Sequence, residues 1–177
     1  MRLTRFLAAT AALVAFATPA YAALKPGDLA PAFKTQASLG GTVFTFDLKA
    51  ALAKGPVVLY FYPAAFTKGC TIEAHDFADH IDDFKKLGAT VIGVSGDGID
   101  KLNKFSVSEC RSKFAVASDQ NLTIAKSYDA VLASIYADRT SYVIAPDGKI
   151  VYAFHDLDPG QHVANTLNAL QKIAPAK

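Results

Sequence analysis

Val57-Val58-Leu59-Tyr60-Phe61-Tyr62-Pro63 runs directly into Ala64-Ala65-Phe66-Thr67-Lys68-Gly69-Cys70-Thr71-Ile72-Glu73. The stretch Val57 to Tyr62 consists of β-formers without polar alternation, the pattern of a strand buried on both faces. Pro63 stops it, because proline offers no N–H to a sheet ladder. Gly69 to Leu87 then reads as a long helix, ended by Gly88 at the left-handed stop position. A buried strand that hands over directly to a helix is the unit of an α/β fold. In such folds sites are built at the carboxyl ends of strands.

The flanks extend this pattern. Upstream, Leu24 to Asp28 is irregular around Pro26-Gly27, and Phe33–Ala37 with Thr42–Phe46 form a hairpin about Gly40-Gly41. Asp47 to Lys54 reads as a short helix capped by Asp47. Downstream, Ala89–Val94 is a second buried strand. Ile99 to Phe114 reads as a helix with Ile99, Leu102, Cys110 and Phe114 on one apolar stripe. Thr140–Ala145 and Lys149–Phe154 are strands joined by Pro146-Asp147-Gly148, and Val163–Ile173 closes as an amphipathic helix. The expectation is an α/β fold with a mixed central sheet flanked by helices, compatible with a thioredoxin-like arrangement, plus an N-terminal β-hairpin extension.

Before that domain lies a leader. Met1 to Ala22 carries Arg2 and Arg5, an apolar run from Phe6 to Ala17, Pro19 and Ala20-Tyr21-Ala22. This is a secretory signal with cleavage expected after Ala22; its apolar run is too short to span a bilayer. Residues 23–177 then form a single domain, exported across the inner membrane to the periplasm. The formal net charge of +2 comes from scattered side chains, so nothing points to a nucleic-acid partner or to membrane insertion after signal removal. The chain has two cysteines, Cys70 and Cys110. A small secreted domain stapled by disulfides would carry more, so their chemistry is the question.

Thr67 is placed to cap the helix, which puts Cys70 in its first turn. Unpaired N–H groups and the positive end of the helix dipole favour an anion there. For a thiol the anion is thiolate, the reactive form. The Thr67 hydroxyl lies one turn from the sulfur, within reach of thiolate or a bound peroxide, and Pro63 can wall the sulfur off without competing for it. The competing reading is that Cys70 is a small buried hydrophobe.

Pro63-x-x-x-Thr67-x-x-Cys70 resembles the active-site motif of the peroxiredoxins, in the alkyl hydroperoxide reductase/thiol-specific antioxidant superfamily. Cys70-Thr71-x-Glu73-Ala74-x-x-Phe77 resembles its peroxiredoxin Q, or bacterioferritin-comigratory protein, branch. Lys25-Pro26-Gly27-Asp28-x-Ala30-Pro31-x-Phe33 is similar to the family's opening. Arg139-Thr140-Ser141-Tyr142-Val143-Ile144 with Pro146-Asp147-Gly148-Lys149-Ile150 is similar to its Arg-bearing strand and hairpin. The resemblance spans nearly all of residues 23–177. It implies a thioredoxin-dependent type of peroxidase in which Cys70 is the peroxidatic thiolate and Thr67 bonds the peroxide. Arg139 would stabilise thiolate and transition state, and Pro63 would shield the sulfur. The sequence departs from that branch at Phe66, where Asp is usual, and at Lys68, where Pro is usual. Arg111, beside Cys110, reads as a solvated surface residue.

The implied reaction turns Cys70 into a sulfenic acid and needs a second thiol for turnover. The position five residues after Cys70, where many Q-type members carry the resolving Cys, is His75. Cys110 is the intramolecular candidate. It is the expected resolving thiol, against two competing readings: a core residue, or half of a structural disulfide with Cys70. Hydrogen peroxide or an organic hydroperoxide is the expected substrate, with a thioredoxin-like protein or small thiol as reductant, and no cofactor is called for. A monomer or weak dimer is expected.

Two alternatives belong to other classes: a non-catalytic thioredoxin-fold binding module, and a protein dithiol–disulfide exchanger, against which the absence of Cys-x-x-Cys argues. His75 and His80 with Asp76 and Asp79 make i,i+4 pairs on the long helix but no tetrahedral metal set. Gly93-Val94-Ser95-Gly96-Asp97-Gly98 lacks the Lys-Ser/Thr of a phosphate loop and reads as a turn. His155 and His162 show no recognisable partners.

Overall fold

The computed structural model describes residues 24–173; the leader expected over Met1–Ala22 lies outside them. In chain order the elements are β1 (Lys34–Leu39), β2 (Thr42–Asp47), α1 (Leu48–Leu52), β3 (Val57–Phe61), α2 (Lys68–Lys86) and β4 (Thr90–Ser95). There follow α3 (Ile99–Ser108), β5 (Ala115–Ser118), α4 (Thr123–Ser127), β6 (Val131–Leu132), β7 (Tyr136–Ala137), β8 (Thr140–Ile144) and β9 (Ile150–His155). A 3₁₀ turn, Pro159–Gln161, leads into α5 (His162–Ile173).

Seven strands form one sheet in the order β2-β1-β5-β4-β3-β8-β9, with β6 and β7 paired separately. β3 runs parallel to β4 and β4 to β5, while β8 lies antiparallel on the other side of β3. The sheet is therefore mixed, with the cysteine-bearing strand–helix unit near its centre. Every residue of β3 is buried, as its unbroken apolar run requires. Val57, Leu59 and Phe61 point to a core shared with α1 and α4. Val58, Tyr60 and Tyr62 point to a second core shared with α2, α3 and α5. This is the thioredoxin-like arrangement of a mixed sheet covered on both faces.

The hairpin β1–β2 does more than extend the domain. β1 pairs with β5, aligning Ala37 with Ala117, so the hairpin continues the central sheet. At the opposite edge the opening segment docks on the β8–β9 hairpin: Gly27 N donates to Ile150 O, Ile150 N to Asp28 O and Ala30 N to Gly148 O. Asp47 caps α1 as expected, its Oδ1 accepting from Lys49 N at 3.0 Å. Gly88, at φ +71°, ends α2 with Ala89 N returning to Phe84 O. Among the described residues no helix is long and apolar enough to cross a membrane.

Two local expectations are corrected. The helix expected over Ile99–Phe114 stops at Ser108, and Cys110 sits in the turn beyond it. The chain leaves the helix through Arg111 and Ser112, both at positive φ, and Ser112 N donates back to Ser106 O at 2.9 Å. No glycine marks this exit, so the sequence hides it. The second correction concerns Thr67. It occupies the N-cap position of α2, but its hydroxyl makes no capping bond and donates to Ala64 O at 2.9 Å.

Candidate active site

Cys70 lies in the first turn of α2, where the strand-to-helix handover puts it, and is 2% exposed. The loop that carries it there is pinned from the next strand. Asp97 Oδ2, in the turn after β4, accepts from Ala65 N at 2.6 Å and from Ser95 Oγ at 2.9 Å. The glycine-rich run Gly93–Gly98, a turn on sequence grounds, thus holds the cysteine loop in place. Phe66 sits at φ +68° and packs edge-on against Phe105, ring centroids 5.2 Å apart. A non-glycine residue held in the left-handed region costs about 1–2 kcal/mol and clusters at functional loops.

Arg139, immediately before β8, reaches across the end of β3. Its Nη2 lies 3.5 Å from Cys70 Sγ, its Nε donates to Leu157 O at 2.9 Å, and its Nη1 is ion-paired with Glu73 Oε2. Arg139 is 5% exposed, so its charge acts on the sulfur with little water between. Gly69 permits the approach, since a Cβ there would stand 3.1 Å from Arg139 Nη2. Thr67 and Pro63 line the loop leading to the sulfur. Four of the expected site residues, Cys70, Thr67, Arg139 and Pro63, are therefore gathered at one end of the sheet.

The fifth, Cys110, is fully buried in the same apolar core as Cys70, and both thiols are free. Burial pushes the Cys110 thiol far above its ordinary range. The turn holding it is stapled to α2: His75 Nε2 meets Glu109 Oε2 at 2.9 Å, Lys113 Nζ donates to Ala78 O at 2.9 Å, and Arg111 pairs with Asp79. Arg111 is thus a surface residue, as expected, with a partner. His80 pairs with Asp76 at 3.1 Å. No cluster of metal-ligating side chains occurs among the described residues.

Sequence reasoning missed Glu73 and His162 as site residues. Glu73 was visible only as a motif letter, yet it is fully buried one helical turn beyond Cys70. His162, which showed no partner, is fully buried at the start of α5. Its Nδ1 lies 2.8 Å from Ser141 Oγ and its Nε2 2.9 Å from Asp156 O. An ionisable side chain without water must find partners, and only the fold shows which.

A buried thiol at a helix N-terminus under a buried guanidinium, on a thioredoxin-like sheet, defines a thiol-based redox enzyme. Comparison with known proteins makes this specific. The AhpC/TSA family profile matches residues 26–153. Peroxiredoxin Bcp of Escherichia coli (strain K12) is 33% identical over 164 residues, covering 85% of this chain and 98% of that protein. The chloroplastic peroxiredoxin Q of Oryza sativa subsp. japonica is 34% identical over 150 residues, covering 83% and 67%. The crystal structure of peroxidoxin BcpB from Mycobacterium tuberculosis superposes with a TM-score of 0.76 at 32% identity, covering 85% of this chain and 98% of the other. The chain belongs to the AhpC/TSA family, in its Bcp and peroxiredoxin Q-like branch, and is a peroxiredoxin.

Proposed function

We propose that Cys70 reduces hydrogen peroxide and organic hydroperoxides in the periplasm, after a leader ending at Ala22 has been removed. The observation that carries this reading is the 3.5 Å approach of Arg139 Nη2 to Cys70 Sγ in the first turn of α2. Guanidinium and helix N-terminus both stabilise negative charge on sulfur. The thiolate attacks one peroxide oxygen, the O–O bond breaks, and the leaving oxygen takes a proton to depart as water or alcohol. Cys70 becomes a sulfenic acid. Arg139 follows the charge as it moves from sulfur to the leaving oxygen. The Thr67 hydroxyl, whose proton goes to Ala64 O, keeps lone pairs free to accept the peroxide O–H.

Cys110 then attacks the sulfenic sulfur, releasing water and leaving a Cys70–Cys110 disulfide. A thioredoxin-like protein or a small thiol reduces it. The burial of Cys110 and its stapled turn require local loosening before the sulfurs bond. The chain acts as a monomer or weak dimer. Stopped-flow mixing of the reduced protein with peroxide tests the core of this proposal: the Cys70→Ser variant should show no peroxide reduction, and surviving activity would refute it. N-terminal sequencing of the periplasmic protein should begin at Ala23.

A further inference from the structure

Glu73 Oε2 is taken by Arg139, but Oε1 has no hydrogen-bond partner among the described residues, although the side chain is fully buried. An ionised oxygen left this way costs several kcal/mol. His162 Nδ1, also fully buried, lies 3.8 Å from that oxygen. His162 Nε2 faces the carbonyl of Asp156, which can only accept, so Nε2 carries a proton. In the neutral ring Nδ1 is then a lone pair, served by the Ser141 hydroxyl at 2.8 Å, so it offers no hydrogen to Oε1 of an ionised Glu73.

Charge counting leads to the same place. With Cys70 ionised for attack and Glu73 ionised, one guanidinium serves two anions, and the buried cluster carries one uncompensated negative charge. One proton placed between Glu73 and His162 makes it neutral. We propose that Glu73 and His162 share a proton, and that His162 is a positioning residue which, through Glu73, leaves the Arg139 guanidinium to the Cys70 thiolate. The proposal rests on Cys70 being the attacking thiol.

The other charged groups facing this pair do not remove the need for the proton. Asp76, on α2, adds negative charge near Glu73. Arg139, Asp156 and His155 act on His162 from the start of β8, from the segment after β9 and from β9 itself. Ser141 Oγ, on β8, can give Nδ1 a hydrogen or take one from it, so it tolerates either location of the proton. Burial pushes the Glu73 carboxyl up to about 8 despite Arg139, and pushes the His162 imidazole down. Both directions favour a proton on the Glu73 side of the gap, with the Ser141 hydroxyl donating to the Nδ1 lone pair.

The test follows the rate constant for Cys70 oxidation by peroxide as a function of pH. In the unaltered protein the rate should rise as the thiol ionises and fall at alkaline pH as the shared proton leaves. Glu73→Gln is permanently neutral and should lack the falling limb. His162→Gln should move that limb about one unit lower, a roughly tenfold loss of rate on the alkaline side. The proposal fails if all three proteins share one falling limb, or if the unaltered protein has none. NMR of the unaltered protein does not depend on a variant folding. The Glu73 carboxyl ¹³C and His162 ring ¹⁵N signals should move together at one apparent pKa. A carboxyl that titrates alone near the ordinary 4.3 overturns the proposal. In the Cys70→Ser protein the shared pKa should drop, because the neighbouring anion is gone and coupling is reciprocal. If that variant still consumes peroxide, the Cys70 reading falls instead, and the NMR titration decides the shared proton alone.

Discussion

Single atoms decide how strongly the sulfur is held. A Cβ at Gly69 would sit 3.1 Å from Arg139 Nη2, and Gly69 lies in a helix with no need of positive φ. Gly69→Ala should therefore fold normally and push the guanidinium a few tenths of an ångström away from Cys70. We expect peroxide to react about tenfold more slowly, as measured by stopped flow, with an unchanged melting curve; Arg139→Ala, which deletes the charge, should cost about 10²-fold or more. Glu73 sets a pH dependence of stability. Its folded pKa of about 8 lies above the unfolded value near 4.5, so the native state binds more protons between these limits. Stability should fall as pH rises from about 4.5 to 8, by an amount of the order of a few kcal/mol. Glu73→Gln should remove this slope in denaturant titrations across that range. None of this is legible in the letters around Cys70, because a glutamate three residues along a helix is usually solvated.

At the scale of elements, regular segments with strong punctuation were readable, and the exits without it were not. β3 and α2 follow from an unbroken apolar run, a proline and a terminal glycine. The end of α3 does not, since the chain turns through Arg111 and Ser112 in the left-handed region, where contacts with α2 hold it. The same tertiary override shapes β4. Gly93 is there because a Cβ would lie 2.6 Å from Cζ of Tyr60, whose ring is stacked on Phe77 at 4.4 Å and cannot yield. Gly93→Ala should destabilise the protein by roughly 2–3 kcal/mol, the range for overpacking, visible as a lower urea midpoint with unchanged slope. A midpoint within error of the unaltered protein would show that the Tyr60–Phe77 stack has room to move.

For the molecule as a whole, the decisive question is how two buried thiols on one face of the sheet exchange a bond. A permanent bridge between them should raise stability by about 4 kcal/mol in the chain-entropy account, a gain of about 10 °C or more in melting temperature. The packed positions of both reduced cysteines, and the three contacts stapling the Cys110 turn to α2, argue for strain on oxidation instead. The oxidised protein should melt no higher than the reduced one. Cys110→Ser should leave the first peroxide turnover intact and abolish the intramolecular disulfide in mass spectra. A rise of 10 °C on oxidation would make the bridge structural.

Local patterning alone indicated an α/β fold with a mixed sheet, the placement of Cys70 at a helix start and the motif that marks its family. Those properties depend on neighbours along the chain: apolar runs, capping residues and breakers act over a few positions. The tertiary structure decided the partners of the buried charges. Arg139 meets Cys70 and Glu73, and His162 faces Glu73, only because β8 and α5 pack beside α2; no spacing rule encodes contacts between residues this distant in sequence. The same holds for the hydroxyl of Thr67, which the loop turns toward Ala64, and for the turn that takes Cys110 off its helix.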